Sequence, residues 1–300
     1  MSHSVSPHSA SARHDSAHGS AHDRIGRSHA RTVWRYATRV GLVLWSLLLW
    51  ATTVQGEGLS ADTIMEKNFV ATKYLGSTAH VTFTLISKNG QERVRETLSI
   101  SKLHANGRET LRLVRFLSPP DIAGTATLLI EHADGDDDIW IYLPALKKVR
   151  RLVAANKKDS FVGTDLSYGD IIGHKVSEWT HVLVKEAPLD EQSCYVVEST
   201  PKSEAVREQS GYSKRVSWLR TDNFVLVRGE VWDAFGQPLK TFVVHDVHRV
   251  DPAQDKWQGM HLEAVNIQTQ HRTRITFTDF VFHPTIAAEL FSTRYLERAP

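Results

Sequence analysis

From Val81 onward the chain alternates. Val81, Phe83 and Leu85 are separated by polar residues, and Val94, Leu98 and Ile100 keep the same period, interrupted at Glu96. Alternation at period two is the mark of strands with one covered face. Asn89-Gly90 and Asn106-Gly107 fall between these runs, where hairpins need residues that accept positive φ. Leu111, Leu113 and Phe116 form a third run, ended by Pro119-Pro120. Further strands are predicted at 179–185, 194–199, 216–219, 225–232, 239–250, 260–269, 274–277 and 280–282. Asp222-Asn223 and Phe235-Gly236-Gln237-Pro238 provide turns between them. Helices are expected at 59–72, with Ser60 as N-cap, at 166–172, and at 286–291.

Between Ala126 and Leu143 the pattern changes. Ala126–Ile130 and Ile139–Leu143 are apolar at consecutive positions and flank a turn at Asp134-Gly135. A hairpin with a wet face would alternate, so both faces of this one are predicted to be covered. Pro144 ends the second strand, having no N–H for the ladder. So many strands with so few helices predict a mainly β fold. A long meander must close, pack on another sheet or be covered. The expected architecture is an incomplete antiparallel β-barrel with a few helices across its open face and an apolar cavity beneath them.

The N-terminus reads differently. Residues 1–32 are rich in Ser, His and Ala without apolar periodicity, which predicts a disordered extension. Residues 33–56 read as a signal peptide. Arg31, Arg35 and Arg39 precede the apolar run Val40–Ala51, shorter than the ~20 residues of a spanning helix. Cleavage is expected after Gly56, by the general secretory route, since no Arg-Arg pair precedes the run. Residues 57–300 form the single expected mature domain.

Composition narrows the function. The hydrophobic fraction is 41%, ample for a core, and the net charge of +2 gives no case for nucleic acid. Cys194 is the single cysteine, so no intramolecular disulfide can form; it reads as a small buried apolar group. No nucleophile elbow, phosphate loop, dinucleotide fingerprint, Cys-x-x-Cys or His-Glu-x-x-His occurs. A non-enzymatic protein without cofactor or metal is therefore expected. The acidic run Asp134, Asp136, Asp137, Asp138 lacks the glycine and terminal glutamate of a calcium loop and reads as a solvated tip. The basic cluster Lys147, Lys148, Arg150, Arg151 is the best polar candidate. It could meet a lipid phosphate or acidic partner, or be an exposed strand or turn face paired with Asp165 or Asp170.

Four blocks carry a resemblance: Gly124-Thr125-Ala126, Trp140-Ile141-Tyr142-Leu143-Pro144, Lys147 to Arg151, and Ser160 to Asp170. With the closing Glu289–Glu297, they resemble a family of outer-membrane lipoprotein-sorting proteins similar to the periplasmic carrier LolA. The resemblance spans about Leu59 to Arg298 and implies a LolA/LolB-like fold, a periplasmic location and association with an exporter of the resistance-nodulation-division (RND) type.

A carrier then follows as the leading expectation, a monomer with lipid or lipoprotein acyl chains as partners. Each methylene kept from water is worth ~0.8 kcal/mol, so a sixteen-carbon chain costs roughly 13 kcal/mol to expose. The expected cavity residues are Leu128, Ile130, Trp140, Tyr142, Phe161 and Tyr168, with the basic cluster at a headgroup or partner. The alternative is an adaptor of an RND-type exporter, which a solid core would favour; a hydrolase would need converging acid–base or nucleophilic groups.

Overall fold

The computed structural model describes residues 58–298. The expected extension, signal peptide and cleavage position lie outside them. Helix α1, Ala61–Ala71, starts at Ser60, whose side chain accepts the Thr63 N–H. Three long strands follow: β1 Gly76–Ile86, β2 Glu92–Leu103 and β3 Thr110–Ser118. Gly90 and Gly107 take positive φ at the two hairpin turns. The central hairpin is β4 Ala126–Ile130 and β5 Asp138–Leu143, with β6 Lys148–Leu152 beyond it. Strands β7 Trp179–Leu189, β8 Gln192–Pro201, β9 Tyr212–Arg220 and β10 Leu226–Asp233 come next. The last are β11 Pro238–Asp251, β12 Lys256–Asn266 and β13 Arg272–Phe282.

All pairings are antiparallel, in one unclosed sheet of 13 strands ordered β6-β5-β4-β3-β2-β1-β13-β12-β11-β10-β9-β8-β7. The first and last strands pair at its middle, leaving β6 and β7 as the edges. The chain between those edges, residues 153–178, spans the sheet. It carries helix α2, Tyr168–Ile172, capped reciprocally by Ser167 and Asp170. Arg112 of β3 donates to the Ile171 carbonyl, while Tyr212 of β9 donates to Asp170. Those strands are seven steps apart in the sheet, about 34 Å if it were flat. Bonding to consecutive residues of one helix requires that the sheet curl around it.

The main core cluster lies inside this curl. Val81, Phe83, Phe116, Phe161, Trp179 and Tyr212 are among its members. A second cluster covers the outer face of β2–β5. There Ile100, Leu113 and Leu128 pack beneath Phe291 and Leu296 of the C-terminal segment. The hairpin β4–β5 is thus covered on both sides, as its unbroken apolar runs predict.

Several expectations are corrected. Residues 272–282 form one strand. The expected terminal helix at 286–291 is a 3-10 turn, Ala288–Leu290, followed by a short helix at Thr293–Leu296. Of the two forms expected for the basic run, an exposed strand or a turn, Lys148–Leu152 takes the strand; at a sheet edge such charges face water and discourage further pairing. A helix at Glu204–Ser210 was missed, despite its Ser203 N-cap and left-handed Gly211 at its end. Cys194 is fully buried, and burial raises its thiol pKa.

Candidate functional site

The sheet curls around a cavity of about 420 Å³, within the ~300–1,000 Å³ usual for small-molecule sites. Its floor comes from β1, β2, β3, β11, β12 and β13. Its roof is α1 and the crossing segment from Phe161 to Val176. Register explains the open space. On the inner face Ser77 opposes Ser101, Ala79 opposes Ser99 and Val81 opposes Thr97. Small residues facing small residues leave the centre unfilled. Gly259 continues this surface on β12; a Cβ there would lie 2.3 Å from Val244 Cγ1. Apolar walls come from Phe83, Val114, Phe242, Leu262, Phe277 and Phe280, among others.

Charged groups also enter this apolar space, some of them in pairs. Lys73, at the end of α1, forms a buried ion pair with Glu131. Its ammonium also lies 4.1 Å from the Phe69 ring centroid, and burial lowers its pKa despite the carboxylate. Asp170 is the hub of the crossing segment. It accepts from Lys240 Nζ at 2.8 Å, the Tyr212 hydroxyl at 2.9 Å and the Ser167 N–H at 2.9 Å. Burial opposes its charge, but Lys240 and His174 outweigh burial and hold its pKa well below the usual range. His174 Nε2 lies 3.6 Å from Asp170 Oδ1. Burial, with Arg215 nearby, pushes that imidazole down to about 4, so it is neutral at pH 7. Asp165 is held by His271 at 2.6 Å and Thr273 at 2.7 Å. The Ser160–Asp170 motif therefore fastens the roof to β9, β11 and β13.

The candidate residues separate by strand parity. Phe161 lines the cavity and is fully buried against Phe83, Phe116 and Tyr168. Tyr168 sits behind it in the core, its hydroxyl pKa pushed up to about 12 mainly by burial. Leu128, Ile130, Trp140 and Tyr142 do not border the cavity. They face outward into the cluster under the C-terminal segment, while Leu129 and Ile139 face inward. Consecutive apolar positions conceal which face is which.

The basic cluster is likewise split. Arg150 and Lys148 oppose Ile141 and Leu143, whereas Arg151 opposes Trp140 on the other face. Arg151 pairs with Asp138 and lies over the Trp140 ring. Asp165 and Asp170 belong to the roof network instead of pairing with this cluster. The acidic tip is only partly solvated: Asp137 is buried and pairs with Lys157 at 2.6 Å, and Asp138 also meets His132. Among the described residues no acidic, His or Cys group could hold a metal.

Sequence reasoning missed Lys73, Glu131, Arg112 and Arg215, all at the cavity. The available signal was a charge in phase with apolar neighbours. Arg215 shares its face with Ser217 and Leu219, and its cross-strand partners Val231 and Ser199 are buried.

Two family models match. One, described as an uncharacterized protein family, covers residues 108–298; the other, a protein of unknown function family (DUF1329), covers residues 33–173. No match is found among curated proteins. Among solved structures, one similar chain is described as an outer membrane lipoprotein-sorting protein domain from Vibrio parahaemolyticus. It is 26% identical with a TM-score of 0.72, over 80% of this chain and 98% of that one. A DUF1329 family protein from Desulfovibrio piger is 25% identical, TM-score 0.70, over 78% of this chain and 95% of that one. A LolA superfamily protein from Nitrosomonas europaea shares the fold at 17% identity, TM-score 0.61, over 79% of this chain and 100% of that one.

Proposed function

The chain belongs to a LolA-like family, and on that premise we propose that it is a carrier that binds an acylated or apolar molecule in its cavity. The observation that carries this reading is the cavity itself, bounded by paired small residues and roofed by a helix and a pinned crossing segment. An acyl chain placed there keeps ~0.8 kcal/mol per methylene that water would take back. Binding and release of such a cargo call for no covalent chemistry, so the protein is read as a binding protein and not an enzyme.

The finer reading is periplasmic transfer toward the outer membrane by a monomer, in partnership with an RND-type exporter. The described likeness to a lipoprotein-sorting domain supports it, as does the sequence of residues 33–56. No described helix is long and apolar enough to cross a membrane. The adaptor alternative called for a solid core; the open volume beneath α1 favours the carrier.

The test is extraction of the protein, purified without detergent from its native envelope, with organic solvent and mass spectrometry of the extract. A bound acyl-chain molecule near one per protein is expected, and delipidated protein should rebind it. Protein that carries no such molecule and takes none up would refute the carrier reading.

A further inference from the structure

Five charged residues border the cavity: Lys73, Arg112, Glu131, Asp170 and Arg215. Lys73 and Glu131 neutralise each other. Asp170 is neutralised from behind by Lys240. Two guanidinium groups are left over. Arg112 donates to the Ile171 carbonyl, which satisfies a donor without cancelling the charge. Arg215 has less: among the described residues its side chain makes no hydrogen bond and no ion pair. The Trp179 ring centroid lies 5.5 Å from its guanidinium carbon, which steadies the group but accepts none of its five N–H donors.

Arg215 is nonetheless desolvated. Burial is the main cause lowering its pKa, and Asp170 and Tyr212 only partly restore it. An arginine remains charged even so. The residue is half-buried by area and borders the cavity, so cavity water is what still reaches it. A charge taken from bulk water without a counterion is costly, and an apolar residue would fill the wall of β9 equally well. His174, which feels both Arg215 and Asp170, is neutral near pH 7 and offers no compensation.

Resting on the carrier reading, we propose that the cargo is an anionic amphiphile whose carboxylate or phosphate meets Arg215, while its chain lies along the apolar residues of β1, β12 and β13. Both oxyanions match the guanidinium fork in two parallel bonds. The position of Arg215 beside Asp170 and His174 places the headgroup below α2. Arg112, bonded to the next residue of the same helix, adds a second positive charge to that end.

Three ligands of equal chain length separate the possibilities: laurate, dodecyl phosphate and dodecanol, titrated below their micelle concentrations by displacement of a fluorescent acyl probe. The protein is expected to bind the anions about ten-fold or more tightly than the alcohol, the scale of one hydrogen bond to a charged partner. The preferred anion identifies a carboxylate or a phosphate cargo. Arg215→Gln should bring the anions down to the alcohol's affinity and leave the alcohol unchanged, and Arg215→Lys should keep part of the preference. Equal binding of all three by the unmodified protein would overturn the inference and leave the carrier standing, whatever the folding of the variants. So would a preference that survives in a folded Arg215→Gln protein. Failure of all three to bind would overturn both readings.

Discussion

Replacing Asp170 by asparagine removes one charge from the hub of the roof. The carboxylate and Lys240 are both about nine-tenths buried, with side-chain exposures of 8% and 7%. Asparagine retains an oxygen for the Ser167 N–H, and Lys240 keeps the Asp165 carbonyl at 2.9 Å. What is lost is the counterion of a buried ammonium and the charged acceptor of the Tyr212 hydroxyl. Breaking a buried pair from one side costs ~3–5 kcal/mol; with those contacts retained, about 3 kcal/mol is expected. For a domain of this size that lowers the melting temperature by roughly 6–12 °C. Because the folded pKa of Asp170 is depressed, its contribution is complete above its unfolded value near ~3.9 and is lost as pH falls below it. Urea unfolding of Asp170→Asn, Lys240→Met and the double variant measures the coupling directly. The double variant should cost at least ~1 kcal/mol less than the sum. A loss under ~1 kcal/mol for Asp170→Asn, with additive singles, would refute the view that this pair pins the crossing segment.

Three further outcomes follow from the same geometry. His174 is neutral when folded until about pH 4 but gains its proton near ~6.5 when unfolded. Stability should therefore fall as pH drops from about 6.5 toward 4, and thermal melts of His174→Gln should flatten that slope. Ser99→Phe, pointing inward between Ala79 and Val114, should displace about two methylenes of cargo. Titration with an acyl probe should show roughly ten-fold weaker binding with the fold retained. Trp140→Ala should destabilise by about 2 kcal/mol, below the ~3–5 for a fully buried ring, and leave probe affinity unchanged; a large affinity loss would contradict its outward placement.

Much of the architecture was legible in the sequence because antiparallel strands advertise themselves. Alternation set the strands, and Asn89-Gly90, Asn106-Gly107 and Asp134-Gly135 set their turns. The unbroken apolar runs at Ala126–Ile130 and Ile139–Leu143 correctly implied two covered faces. The same runs hid the parity, so Leu128 and Trp140 were expected at the cavity when Leu129 and Ile139 face inward. The cavity itself has a faint signature, the small residues Ser77, Ala79, Ser99 and Ser101, whose meaning appears only when register brings them opposite one another. Long-range pairs such as Asp170 with Tyr212 and Lys240 leave no local pattern. For Lys148–Leu152 the charges allowed an exposed strand or a turn, and only its pairing with β5 decides for the edge strand.

The central claim is that the space inside this sheet receives an acyl chain. The most direct measurement is a crystal structure of the protein loaded with a chain brominated along its length, read by anomalous scattering from bromine. The account predicts peaks strung between the inner faces of β1 and β13 and the underside of α1, near Phe83, Leu262 and Phe277. Peaks confined to the outer surface, or none at saturating ligand, would contradict it.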